Sequence, residues 1–522
     1  RALPLGSQYR QSIETHCGRC TAIMAALNVG ESFPVYDGVR RAPSTPLEES
    51  RGAGTMNGLR RRHFVGSASV MLTGAALAAC GAPGGAGESA PVRADLAKIN
   101  RKLMVWDQPD PGRKAQVDRW SELHPNLAAE VTDVGSAGTS QADVSKFIAS
   151  VASGDVADVV RFDRFNIGSY VYRQALSPLD PYIKAEKFDM KCFVEAAALE
   201  AQGSTDKQQY GIPISIDNRP FLWNKMHFRQ IGVDPEQPPA TWDQLKEYAL
   251  KLTRSNAGTI TRIGWSYRPG LSGSSLTYLY GFLNGAEFLS ADGRKAQLNH
   301  PKVIEAAQWV YELLEAEGGV QRHDEFQKTF GANENHPLFG ELLSMTHDTQ
   351  TALDRIARYK PDLDFGIGPN PVRKAGDRGA TWSGGHAWIV AKGAKNPEVS
   401  WAMIAHLVGQ ESILSGQEVA SRQRPAGQKY VPPMSAQPAV DKVVFEQFKT
   451  GIPAIDKGLA FALDYMKVSK FRPITVAGAE LYGGGNTAWD EILAKKKGVK
   501  QAFDDANATA QAALDQVYGA SK

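Results

Sequence analysis

From residue 102 onward, short apolar runs alternate with longer amphipathic ones. The run "KLMVWD" (102–107) predicts a buried strand. "GRKAQVDRWSELH" (112–124) predicts a helix with Val117, Trp120 and Leu123 on one face, and "AAEVTDV" (128–134) a second strand. "SQADVSKFIASVASG" (140–154) reads as a helix with Val144, Phe147, Ile148 and Val151 inward and Gly154 at its end. "VADVVRF" (156–162) gives a third strand. This β-α-β-α-β order predicts an α/β fold with a mostly parallel sheet covered by helices. Ligands of such sheets lie beyond the carboxyl ends of the strands. Those ends are Trp106, Asp107 and Gln108, then Ser136–Ser140, then Arg161, Phe162 and Asp163.

Further along, "YGIPISIDNRPFLWNK" (210–225) carries a strand on each side of Asp217-Asn218-Arg219-Pro220. A helix starts at Thr241 in "PPATWDQLKEYALKLT" (238–253), where a hydroxyl precedes an acidic first turn. "RIGWSY" (262–267) is a strand, "HPKVIEAAQWVYELLEAEGG" (300–319) a helix, and "FGELLSMTHD" (339–348) helix into strand. "DLDFGIGPNP" (362–371) is a strand running into a proline turn, and "TWSGGHAWIVAKGAKNPEVSWAMIAHLVG" (381–409) is strand, turn and helix. The remainder is mainly helical. No fixed-period repeat is present.

The segment before this body has a different character. "RRRHFVGSASVMLTGAALAAC" (60–80) is too short and too rich in small residues to span a bilayer, for which about 20 strongly apolar residues are needed. It reads as a cleavable export signal: Arg61-Arg62-His63-Phe64-Val65 resembles a twin-arginine motif, and Leu77-Ala78-Ala79-Cys80 resembles a bacterial lipobox with Cys80 as the lipidated residue. Met56 would give this signal (56–80) its short basic leader. Residues 1–55 are accordingly read as a non-native or mis-assigned extension, and their Cys17 and Cys20 have no second pair to complete a metal site. The Gly/Ala/Pro-rich stretch 81–99 is expected to be a flexible tether that displays a domain at a membrane surface.

The net charge is +3 with no basic stripe, which gives no footprint for nucleic acid. Beyond Cys80 the only cysteine is Cys192, so an exported domain would hold together by packing without an internal disulfide. Its length suits two substantial domains.

The ordered series "SGDVADVVRFD", "LSPLDPYI", "YGIPISIDNRPFLWNK", "PATWDQLKEYALKL", "DFGIGPNP" and "SGGHAWIVAKGAKNPEVSWAMIAHLV" resembles the extracellular solute-binding proteins of family 1, the maltose-binding-like receptors of carbohydrate ABC importers. The resemblance implies a two-lobed periplasmic-binding-protein fold (type II) with the ligand cleft between the lobes. It places chain crossings near "PISID" and "GIGPNP", with lobe one at 100–213 plus 371–412 and lobe two at 214–370 plus 413–522. It also implies a binding protein without catalysis or cofactor. The expected protein is a monomer, lipid-anchored on the outer side of the bacterial cell membrane, with ABC permease transmembrane subunits as partner.

A sugar needs aromatic platforms beside paired carboxylates, amides and guanidinium groups. The candidates are Trp106, Asp107, Phe162, Asp163, Asp217, Arg219, Trp223, Trp265, Tyr267, Asp348, Trp382, Gly384, Gly385 and His386. Trp120, Trp242, Trp309, Trp388 and Trp401 sit among other apolar residues and are read as packing residues. His347 and His386 lack ligand-like neighbours at metal-binding spacing, so no metal is expected. Two alternatives accompany the sugar reading. Arg161 and Arg219 could clamp a polyol phosphate, and Asp107 with Asp163 is the one pair that could serve a surface glycosidase.

Overall fold

The computed structural model describes residues 95–133, 141–331 and 333–519. The expected extension, export signal, Cys80, most of the tether and the loop Ser136–Ser140 lie outside the described residues. The strands are β1 (Leu103–Trp106), β2 (Ala129–Thr132), β3 (Val159–Asp163), β4 (Gly211–Pro213) and β5 (Phe221–Asn224), followed by β6 (Arg254–Asn256), β7 (Thr259–Ser266), β8 (Leu343–His347) and β9 (Phe365–Gly368). β10 (Thr381–Ser383), β11 (His386–Ile389) and β12 (Ser469–Phe471) complete them.

The first sheet has the order β2-β1-β3-β11-β4. Its β1, β2 and β3 are parallel, joined by the helices Pro111–Leu123 and Gln141–Ser153 as the alternating pattern predicts. Asp110 starts the first of these helices by accepting the Gly112 and Arg113 amides, with Pro111 in the first turn. Trp120 then lies buried on Leu127, its indole N–H donating to that carbonyl at 2.9 Å.

The second sheet has the order β6-β7-β8-β5-β9, and a short parallel pair joins β10 to β12. Neither large sheet is purely parallel. β11 runs antiparallel to β3 and β4, and β5 antiparallel to β8 and β9. The cause is connectivity: β4 delivers the chain out of the first sheet at its carboxyl edge, so β5 enters the second sheet from that edge and must run backward. β11 re-enters the first sheet in the same way, with His386 opposite Asp163. The described strand ends named by the sequence, those of β1 and β3, therefore face the crossings.

Several boundaries differ from expectation. Residues 96–99 are not tether, because Leu96 and Ile99 pack on the first core and both their carbonyls accept the Asn126 amide at 2.6 Å. The stretch 371–382, expected in lobe one, contacts second-sheet elements: the Trp242 amide donates to the Val372 carbonyl at 2.8 Å, its indole to Pro371 at 3.1 Å, and Ala380 and Trp382 join the second core. The handover back to the first sheet comes at 383–386. The helix Gln410–Arg422, expected in lobe two from residue 413 onward, lies on Pro111–Leu123, where Gly112 meets the Gly416 backbone and Gln116 donates to Ser412 at 3.2 Å. Met434 and Ala436 belong to the first core as well. Where "FGELLSMTHD" suggested a helix, a single 3-10 turn, Pro337–Phe339, ends at Gly340 before β8.

The remaining C-terminal helices, Gly478–Leu493 and Val499–Tyr518, pack together against Gly273–Leu283 and Pro301–Ala316 in the second core. Among the described residues no helix is long and apolar enough to cross a membrane.

Candidate ligand-binding site

Three chain segments meet where the sheets adjoin: 214–220 leaving β4, 383–386 entering β11, and 469–478 from β12 into the helix Gly478–Leu493. Side chains from the end of β3 close the fourth side. In β3 the alternation sends Val160 and Phe162 into one core and turns Arg161 and Asp163 to the other face. Asp163 then caps a 3-10 turn, Arg164–Asn166, that puts Arg164 fully out of solvent and leaves Phe165 half-buried at the crossings.

Arg164 ties these segments together. Its guanidinium donates to Glu200 at 2.9 Å and to the carbonyls of Ser215 at 2.6 Å, Gly384 at 2.8 Å and His386 at 3.0 Å. Glu200, 2 % exposed, offers its other oxygen to Arg472 Nε at 2.9 Å, and Arg472 Nη2 reaches Asp163 at 3.0 Å. Burial opposes the Arg472 charge, but Asp163 and Glu200 outweigh it and raise its pKa above the ordinary guanidinium value. Arg219 pairs with Asp217, which also accepts the Gly384 amide at 2.8 Å. Burial would lift the Asp217 carboxyl, yet Arg219 and that amide hold it below its usual range.

Aromatic rings surround these charges. The Arg472 guanidinium lies 4.6 Å from the Phe165 ring, 5.2 Å from Tyr482 and 5.6 Å from Trp382. Arg219 stacks on Trp382 at 3.6 Å. Phe165 meets Tyr482 at 4.9 Å and Trp382 meets Tyr482 at 5.8 Å, with Tyr278 behind. Two buried donors here, Arg219 Nε and Trp382 Nε1, have no acceptor among the described residues. Gly385 holds φ +139°, and a Cβ on it would collide with the Ser215 carbonyl, so the turn into β11 requires glycine.

Of the residues singled out from sequence, Asp163, Asp217, Arg219, Trp382, Gly384, Gly385 and His386 come together here. His386 is held well below its ordinary pKa, first by burial and then by Arg161 and Arg164, and is neutral. Asp107 adjoins them: Arg161 reaches both Asp107 at 3.5 Å and His386 Nδ1 at 3.2 Å, while Arg113 holds the other Asp107 oxygen at 2.6 Å.

The others lie elsewhere. Phe162 has no exposed surface and packs on Phe147 and Tyr170. Trp223 lies against Gly366 with its indole on the Pro235 carbonyl at 2.8 Å, and Trp265 is enclosed by Tyr280 and His347. Tyr267 is buried beside Trp489, and Trp106 has its indole 2.9 Å from Met104 Sδ. Asp348 is engaged by the Thr349 amide at 2.7 Å and Arg355 at 2.9 Å. In this structure the five aromatics pack in the cores, where large rings supply apolar burial, and Asp348 is held by its internal pairing with Arg355. The packing assignments of Trp120, Trp242, Trp388 and Trp401 agree with their burial, and Trp309 lies partly buried on Trp242.

Sequence reasoning missed Arg164, Phe165, Glu200, Arg472 and Tyr482. Two signals were available: an arginine between Phe471 and Pro473 in an apolar run, and three consecutive glycines inside a helix directly after Tyr482. A Cβ at Gly485 would press on the Ser274 backbone at 2.8 Å, which explains one of those glycines by close helix approach.

Residues 106–412 match the family described as bacterial extracellular solute-binding protein. A Brucella abortus (strain 2308) protein named as a binding protein is 26% identical over 273 residues, 51% of this chain and 61% of that relative. The sn-glycerol-3-phosphate-binding periplasmic protein of Escherichia coli K12 is 24% identical over 266 residues, 48% of this chain and 57% of that relative. The chain thus spans about three fifths of these relatives' length. Among solved structures, CpMnBP1 with mannobiose bound superposes with TM-score 0.64 at 21% identity, covering 78% of this chain and 99% of that one. The GacH receptor of Streptomyces glaucescens, studied unliganded and with acarbose, superposes with TM-score 0.60 at 18% identity, covering 81% and 100%. At these identities the likeness shows the two-lobed α/β fold.

Proposed function

Given that the chain belongs to the bacterial extracellular solute-binding proteins, we propose that it is the receptor of an ABC importer. It captures a sugar or oligosaccharide between lobes built on the two large sheets and hands it to the transmembrane permease. The carrying observation is the crossing cluster, where Phe165, Trp382 and Tyr482 stand beside Asp163, Asp217, Arg219 and Arg472. The partly exposed rings of Phe165 and Tyr482, backed by buried Trp382, match the C–H faces of a pyranose, and the paired polar groups match its hydroxyls. Mannobiose and acarbose in the fold's relatives support a saccharide ligand.

The family and its structural neighbours are binding proteins. Asp107 and Asp163, the one pair that could have served hydrolysis, are both held in ion pairs with arginines. The family is extracytoplasmic by its description, which suits delivery by the signal at 56–80 and anchoring through lipidated Cys80, with the receptor working as a monomer. Mass spectrometry of native protein should find diacylglyceryl-Cys80 at the mature end; an unmodified Cys80 removes the anchor.

The test of function is a thermal-shift and calorimetric screen of neutral mono- to tetrasaccharides on the purified protein. A saccharide that raises the melting temperature should bind with 1:1 stoichiometry, and Trp382→Ala should weaken it while Trp309→Ala leaves affinity intact. Absence of any saccharide response, with full response to another solute class, overturns the reading.

A further inference from the structure

A guanidinium beside an aromatic box is the usual means of holding a phosphate or carboxylate group. In this site the charges of the guanidinium groups at the crossings are already paired with carboxylates, although Arg219 Nε keeps no acceptor among the described residues. Arg472 gives Nε to Glu200 at 2.9 Å and Nη2 to Asp163 at 3.0 Å, and Arg164 takes the second Glu200 oxygen at 2.9 Å. Arg219 is paired with Asp217 and covered on one side by Trp382 at 3.6 Å. Three arginines thus face three carboxylates, and the cluster sums to zero.

We propose that this built-in neutralisation makes the site selective for uncharged solutes, with Asp163 as the residue that excludes phosphate-bearing ones. The inference rests on the receptor reading above and narrows its ligand class. Asp163 holds this position for two reasons. It is the more exposed of the two carboxylates paired with Arg472, at 15% against 2% for Glu200, so of the two it is the one within reach of a ligand. Among the described residues its hydrogen bonds, from Arg472 and from the Phe165 amide, fall on Oδ1, which leaves Oδ2 to accept from a hydroxyl. A phosphate monoester is largely a dianion near neutral pH and would meet Asp163, Glu200 and Asp217 together in a poorly solvated space, where like charges repel far more strongly than in water. The nearby Asp107 is shared by Arg113 and Arg161, which leaves one positive charge in excess there; Arg161, which also reaches neutral His386, feels Asp163 as well, so the same carboxylate answers part of that charge.

The experiment is calorimetry at low ionic strength on wild type and Asp163→Asn, full chain, with the saccharide identified in the screen, with sn-glycerol 3-phosphate and with inorganic phosphate. Wild type should bind the saccharide at least a hundredfold more tightly than either phosphate. Asp163→Asn, isosteric and with a single cooperative melting transition as the check of folding, should gain at least tenfold for sn-glycerol 3-phosphate and lose at least tenfold for the saccharide. The gain should shrink only modestly as salt is raised, because the Arg472 charge is buried. Should Asp163→Asn misfold, Asp163→Ser carries the same expectation. Wild type that binds sn-glycerol 3-phosphate as tightly as the saccharide overturns the inference, as does a correctly folded variant with unchanged phosphate affinity. If no saccharide binds wild type yet the variant gains phosphate affinity, the receptor's ligand class is wrong while the role of Asp163 stands.

Discussion

Replacing Arg164 by Met keeps the length and apolar stem of the side chain and removes only its charge and donors. The structure sets the expected cost. Arg164 is fully buried and makes four hydrogen bonds, to Glu200, Ser215, Gly384 and His386. Gly384 and His386 keep a second partner for their carbonyls, the amides of Asp217 at 3.3 Å and Ile214 at 3.0 Å, whereas the Ser215 carbonyl is left without its donor. Breaking a buried ion pair from one side costs about 3–5 kcal/mol, and Glu200 retains Arg472, which favours the lower end. One orphaned carbonyl adds about 1–2 kcal/mol. The expected loss is therefore about 4–5 kcal/mol in urea unfolding with an unchanged slope. Adding Glu200→Met should cost less than the sum of the two single changes by at least about 1 kcal/mol, since the second change removes the charge that the first left underpaired. A loss below about 1 kcal/mol for Arg164→Met would refute the assignment of this side chain as the tie between crossings.

Three further outcomes are expected. Burial holds His347 at a pKa of about 4 against the opposing Asn370 hydrogen bond, so the folded protein stays unprotonated while the unfolded chain takes up a proton below about pH 6.5; stability should fall from there down to pH 4, and His347→Gln should flatten a melting-temperature profile across that window. Asp441 has the opposite sign. Burial lifts it to about 7, so the stability it contributes is present below pH 4 and is lost as pH rises through 7. Asp441→Asn, which keeps an Oδ1 acceptor for the Ser435 amide at 2.8 Å, should raise the melting temperature at pH 8 and change little at pH 3.5. Gly385→Ala should lose about 1–3 kcal/mol through backbone strain alone, with further loss from displacing the Ser215 carbonyl, and should weaken saccharide binding in titration calorimetry.

Much of this architecture was legible because hydrophobic period and turn chemistry are local. Val159 and Val160, the Thr241 cap of Trp242–Leu252, and the strand over Thr259–Ser266 are written in adjacent residues. What was not legible depends on distant chain. Tryptophans drew notice for their size, yet Trp223 and Trp265 are core residues, since large rings satisfy a core as readily as a ligand. Arg164 and Glu200 carry no local signal, because only the folded chain brings Glu200, Ser215, Gly384 and Arg472 to one point. The antiparallel returns β5 and β11 were hidden likewise, as direction is set by where the chain re-enters a sheet.

The position of β11 has a consequence for the order in which the molecule can assemble. β11 pairs with β3 on one side and β4 on the other, so the middle of the first sheet is supplied by residues made only after the whole second sheet has emerged. Until His386–Ile389 arrive, β3 and β4 present open edges and buried valines with nothing to cover them, a state prone to aberrant pairing. Such long-range closure slows folding, because the loop spanning Pro213 to His386 must be ordered before the central pairings form. The first sheet therefore cannot mature ahead of the second during synthesis. A fragment ending at Asn370 would remain an unclosed sheet rather than an independent half.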